Sequence, residues 1–211
     1  MGLPINKFMK ITALASPTYI LASFLKKRFN RTKTIRVLNY IYLSFAVVSS
    51  FSLLIYQEYY PPANTLALNE ALPFFIIFIW SYYLLSRCNE IFWSFLADAF
   101  DKMDEKNKSK SELTPKDRIS LSLKSYIELI LNFAILYLLL PKTSGIWANS
   151  NAPESIAEAV YFSGVTITTL GYGDISPTHW YPQFLTVYEV FCGFILLIVC
   201  FAIYAGRVKK T

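Results

Sequence analysis

The chain has 211 residues and a formal net charge of +6, with hydrophobic residues at 55% and charged residues at only 16%. Soluble domains carry roughly 25% charged residues, so this composition excludes an ordinary water-soluble fold and points to a chain that lives largely in lipid. The basic excess does not call for nucleic acid, because its distribution along the chain has another explanation, given below.

Residues 1–36 contain Lys7, Lys10, Lys26, Lys27, Arg28, Arg31, Lys33 and Arg36 and never run apolar for long, so they lack the form of a secretory leader. Ser16-Pro17 is a helix-start signal. The segment 17–29, with Tyr19, Ile20, Phe24 and Leu25, reads either as an interfacial helix on the inner leaflet or as a basic tail.

A hydrocarbon core takes about 20 residues of helix to cross. Apolar segments of that length lie at 37–56, 72–96, 119–140 and 184–206. The first two form a hairpin joined by a short loop from Gln57 to Asn69 that is free of basic residues and too short for a pore helix. Within the second, Arg87 and Glu90 are three apart, the spacing of a pair on one helix face. A lone arginine is not the ladder that strong voltage sensing requires. The polar stretch 98–118 reads as a linker between the hairpin and a C-terminal functional unit.

With four crossings, every Lys and Arg except Arg87, Lys124 and Lys142 falls on one side of the membrane. By the positive-inside rule that side is the cytoplasm, and both termini lie there. Cys88, Cys192 and Cys200 sit in apolar segments without metal-ligand spacing, which predicts packing roles.

After the third span comes a polar loop, then a short segment 155–168. Fourteen helical residues reach roughly 21 Å, too short to cross, so the segment enters the membrane and returns. Irregular backbone at that depth is tolerated only where protein buries it or it lines a watery path. The segment ends in Thr166-Ile167-Thr168-Thr169-Leu170-Gly171-Tyr172-Gly173-Asp174. This run resembles the selectivity filter of potassium channels, with Leu170 where valine is commonest, and the resemblance covers about residues 119–208.

The chemistry of such a run is that of a dehydrated cation, which needs successive backbone carbonyls facing its path. Gly171 and Gly173 permit the positive φ that other residues resist. The resemblance implies potassium sites formed by the carbonyls of Thr169, Leu170, Gly171 and Tyr172 with the Thr169 hydroxyl, and Gly173 closing the filter. It implies side chains of Leu170 and Tyr172 turned away as braces, with Thr168 leading into the filter. Asp174 would ring the outer mouth, and Tyr161 falls where relatives often place a tryptophan that bonds this aspartate. Val165 stands where relatives carry glutamate or valine, so a second carboxylate brace is absent there. One loop per chain implies a homotetramer.

On the inner helix, Glu189 is an ionisable residue at membrane depth, read as a hydrogen-bonded strut behind the pore helix. Gly193 is a candidate gating hinge, with close helix packing as the alternative. His179, the only histidine, reads as a solvated residue of the outer loop. The expected molecule is thus an all-α membrane protein: four transmembrane helices, a re-entrant pore helix and a filter. It would sit in the plasma membrane, passing potassium passively, with lipids and its own copies as partners, and with no cofactor, soluble substrate or nucleic acid. Three rivals share features with it. A nonselective cation channel would usually alter Tyr172 or a neighbour. An intramembrane aspartyl protease would share Gly171-Tyr172-Gly173-Asp174, but its second carboxylate, from Asp98 or Asp101, would lie about 30 Å of hydrocarbon away. A non-conducting accessory subunit would leave a complete filter unexplained.

Overall fold

The computed structural model describes residues 16–59, 73–103, 111–142 and 145–200. All regular elements among them are helical. In chain order they are α1 (Pro17–Arg28), α2 (Arg31–Tyr59), α3 (Phe74–Met103), α4 (Pro115–Leu139), a single 3-10 turn at Ala148–Ser150, α5 (Ile156–Ile167) and α6 (Trp180–Phe194). A π-helical segment, Ile195–Cys200, continues directly from α6.

Local chemistry sets most of the helix starts. The Ser16 hydroxyl accepts a hydrogen bond from Tyr19 N and Pro17 fills the first turn of α1, while Lys26, Lys27 and Arg28 complement its C-terminal end. Asn30 Oδ1 accepts from Lys33 N at the head of α2. Thr114 and Asp117 form a reciprocal capping box ahead of α4. At α5, Ser155 Oγ accepts from Glu158 N at 3.1 Å and Glu158 Oε2 accepts from Glu154 N at 2.8 Å.

Helix α4 is the centre of the bundle, buried without a break from Asn132 to Leu139. Phe133, Tyr137, Trp147 and Phe162 pack edge to face or tilted around its C-terminal half. Helix α1 is pinned to α3: Ser16 Oγ and Thr18 Oγ1 both donate to the carbonyl of Ser86, at 2.7 and 3.1 Å. Its polar N-terminus therefore docks on protein, while Ile20, Leu21 and Phe24 remain exposed.

Among the described residues, three helices are long and apolar enough to cross a membrane: Arg31–Tyr59, Pro115–Leu139 and Trp180–Leu197. Helix α3 has the length, at 30 residues, but Arg87, Asn89 and Glu90 interrupt its apolar run. The bundle buries that interruption. Arg87 lies 3.0 Å from Glu90 Oε2, as the sequence spacing anticipates, and donates to both carboxylate oxygens of Glu128 on α4, at 2.6 and 3.0 Å. The Tyr42 ring of α2 covers the guanidinium at 4.1 Å.

Several bounds differ from the sequence reading. The linker is shorter than 98–118, because α3 runs to Met103 and the capping box starts α4 at Pro115. The inner helix begins at Trp180 rather than residue 184, since Pro182 is tolerated in a first turn. Most of the hairpin loop and the end of the fourth expected span, 201–206, lie outside the described residues.

Candidate ion pathway

The short helix α5 carries the candidate filter from its C-terminal end. Thr168 closes the helix, its hydroxyl donating to Gly164 O at 2.6 Å. From there the backbone alternates. Thr169, Gly171 and Gly173 have φ of 62°, 52° and 80°, and Leu170 and Tyr172 between them do not take positive values. A sign change at every residue turns successive peptide planes over, which brings their carbonyls to one side of the chain. Positive φ at Gly171 and Gly173 follows from glycine's freedom. Positive φ at Thr169 does not, and the sequence gives no signal for it.

The amide groups show where the other side of this strand faces. Leu170 N and Gly171 N both donate to Val165 O, at 2.9 and 3.1 Å, and Thr169 N donates to Thr166 O at 2.9 Å. The first three N–H groups of the strand are thus bound to the C-terminal end of α5. The carbonyls of Thr169, Leu170, Gly171, Tyr172 and Gly173 accept no hydrogen bond among the described residues. Polar backbone groups do not stay unpaired away from water or a ligand, so these oxygens face either solvent or an ion.

Tyr161 stands beside this strand. Its hydroxyl donates to Asp174 Oδ2 at 2.8 Å, and its ring stacks on that of Tyr172 with centroids 6.4 Å apart and planes 7° apart. Bonding to the carboxylate and its negative charge raise the Tyr161 phenol above its ordinary pKa. Asn151 Nδ2 donates to Asp174 O at 2.5 Å. A short backbone pairing, Ala148 N to Ser176 O and Thr178 N to Ile146 O, ties the loop before α5 to the loop after the filter. His179 ends that loop as the residue preceding α6 and packs against Tyr181 at 4.6 Å.

Behind α5, Glu189 is fully buried. It accepts hydrogen bonds from Ser163 on α5 and from Tyr137 on α4, the latter at 2.6 Å. One carboxylate therefore joins α4, α5 and α6. Gly193 lies one turn further along α6, against Ile167, with no space for a β-carbon. The N-terminal hairpin also reaches the site: Gln57 Oε1 accepts from Ile156 N at 2.8 Å and so occupies a free amide at the start of α5.

Of the residues singled out in the sequence, the structure assembles Val165, Thr168 to Asp174 and Tyr161 at one place, with Glu189 and Gly193 behind α5. Sequence reasoning missed Tyr137, Ser163, Asn151 and Gln57. Each is an ordinary polar residue whose partner is distant in the chain, and no spacing betrays it. In the single chain Leu170 and Tyr172 are 61% and 67% exposed, so own-chain packing covers neither.

Residues 125–210 match the family model described as an ion channel. No curated protein and no solved structure matches the chain. The ion channel match begins within α4 and takes in α5, the glycine-rich strand and α6. It supports an ion channel function, and with the apolar helices it marks a membrane protein. It points to a channel rather than an enzyme.

Proposed function

We propose that the chain is one subunit of a homotetrameric, potassium-selective channel of the plasma membrane, with Thr169 to Gly173 as its filter. The observation that carries this reading is the strand of alternating φ whose first three N–H groups are bound to the end of α5 while its carbonyls accept nothing among the described residues. Four such strands around an axis would offer stacked rings of oxygens, and such rings can replace the water around a potassium ion. The C-terminal, partially negative ends of four α5 helices would favour a cation on the same axis.

Tetramer formation has support in the surface. Trp180, Phe184, Val187, Phe191 and Phe194 are exposed along α6, as are Leu170 and Tyr172 beside it. Copies of the chain or lipid would cover this apolar face. In this reading α3 is a fourth crossing, its Arg87 neutralised inside the bundle, and both termini lie in the cytoplasm, as the basic residues favour. Tyr161, Asp174, Thr168, Val165 and Glu189 hold the filter in shape. No cofactor enters the function; the potassium ion is the cargo.

The test is reconstitution of the purified protein in liposomes with potassium and sodium flux measured separately. Potassium flux well above sodium flux, lost in Gly173→Ala, is the expected result. A β-carbon at φ of 80° is strained whatever the space around it. Equal fluxes of the two ions would make the pore a nonselective cation path instead.

A further inference from the structure

At the end of the bundle away from the filter, helices α1 to α4 line a cavity of about 310 Å³ that is open to the outside. It lies almost wholly in the part of the chain that precedes the ion channel match, and nothing in the conduction path uses it. It has room for several waters or for one phosphodiester headgroup.

The lining has two characters. Lys26, Lys27 and Arg31, from α1 and α2, bring three cations to it. The other two cations of the lining are already matched: Arg118 is paired with Asp98 at 2.5 Å, and Arg87 with Glu90 and Glu128. Lys27 and Arg31 make no ion pair or hydrogen bond with their side chains among the described residues. Lys26 is more enclosed. Burial lowers its pKa, and Glu90 is the largest influence opposing that.

Deeper in, one acceptor is unmatched. Asn39 is 7% exposed, and its Nδ2 donates to Ser125 Oγ at 2.8 Å while Oδ1 has no hydrogen-bond partner among the described residues. Glu90, 3% exposed, is held by Arg87 at 3.0 Å. Buried polar atoms are paired in the great majority of cases, so the open Asn39 acceptor points to a donor-bearing occupant. Leu38, Ile91 and Phe95 supply apolar wall, which suits the carbon skeleton of a lipid better than a bare phosphate.

We propose that this cavity binds an anionic phosphate ester whose alcohol portion carries hydroxyl groups. Lys26, Lys27 and Arg31 meet the phosphate, and a hydroxyl donates to Asn39 Oδ1. A phosphatidylglycerol headgroup and a free phosphorylated polyol share this chemistry, and the apolar wall favours the lipid.

The test uses the full chain in detergent, with bound lipid counted by native mass spectrometry after equilibration with phosphatidylglycerol or phosphatidylcholine. Choline has no hydroxyl to donate. Preferential retention of phosphatidylglycerol is expected, weakened about tenfold or more by Lys27→Gln with Arg31→Gln, since these two residues make direct charge-assisted contacts with the phosphate. The control is Arg28→Gln with Lys33→Gln, which removes the same charge from the same two helices outside the cavity; acting only through screened attraction in detergent, it should leave retention within about twofold. Asn39→Leu, which closes one open acceptor, should reduce the preference for phosphatidylglycerol over phosphatidylcholine. Displacement of the lipid by glycerol 3-phosphate would support the site and assign it to a soluble ester; lipid retained against it would assign it to the headgroup. Equal loss in the two double variants, or equal retention of the two lipids by the unaltered chain, would overturn the proposal.

Discussion

A β-carbon built on Gly193 would lie 2.5 Å from Cγ1 of Ile167 and 3.1 Å from the Ile167 carbonyl oxygen. Ile167 is the last residue of α5, so the inner helix touches the pore helix where the candidate filter begins. The glycine is needed here for close approach, whatever else it does. Gly193→Ala should destabilise the protein by about 1–3 kcal/mol through overpacking, offset by up to about 1 kcal/mol of gained helix propensity. Adding Ile167→Ala removes the clashing carbon and should recover part of the loss, as read by thermal unfolding of the two single variants and the double. A glycine acting only as a hinge would show no such rescue.

Glu189 supplies the second bridge between the same helices. Glu189→Ala strands the hydroxyl of Tyr137 in a buried site, leaves that of Ser163 with the Ile130 carbonyl alone, and should cost about 2–5 kcal/mol. Tyr137→Phe removes one bond without a cavity and should cost about 1–2 kcal/mol. Comparison of their denaturation midpoints checks the order, and a Tyr137→Phe variant as damaged as Glu189→Ala would contradict it.

The Arg87 cluster yields a third expectation. Removing one member of a buried ion pair leaves an uncompensated charge, at about 3–5 kcal/mol. Arg87→Met strands Glu90 and Glu128 and should be strongly destabilising. Arg87→Met combined with Glu90→Gln and Glu128→Gln removes all the charges and should be milder than the single change. Expression level and thermal midpoint of the two variants decide this directly.

How much of this was legible in the sequence varies with the range of the interaction. The helix α5, the glycine-bearing strand and the pairing of Arg87 with Glu90 are local patterns of length, spacing or residue type, and they can be read without coordinates. The Arg87 contact with Glu128, the two donors to Glu189 and the docking of Ser16 and Thr18 on Ser86 join elements far apart in sequence. Polar side chains of this kind leave no periodic trace. Positive φ at Thr169 is imposed by the amide bonds that follow it, against the residue's own preference. The π segment after Phe194 likewise has no sequence signal that we can identify.

Gln57 gives a prediction about the hairpin. Its Oε1 takes the Ile156 amide, so Gln57→Ala should cost about 0.5–1.5 kcal/mol, while Gln57→Glu keeps the acceptor. Filter function should follow the same order, Gln57→Glu nearer the unaltered chain than Gln57→Ala, in potassium flux from liposomes. Identical flux from both variants would show that the hairpin does not support the pore helix through this bond.

The central claim is that backbone carbonyls of Thr169 to Tyr172 select potassium. Its most direct test is the reversal potential of reconstituted protein in a planar bilayer with potassium on one side and sodium on the other. The account predicts a reversal potential displaced strongly toward that of a potassium electrode, and its collapse toward zero in any Gly173→Ala channels that still conduct. A reversal potential near zero for the unaltered chain would contradict it.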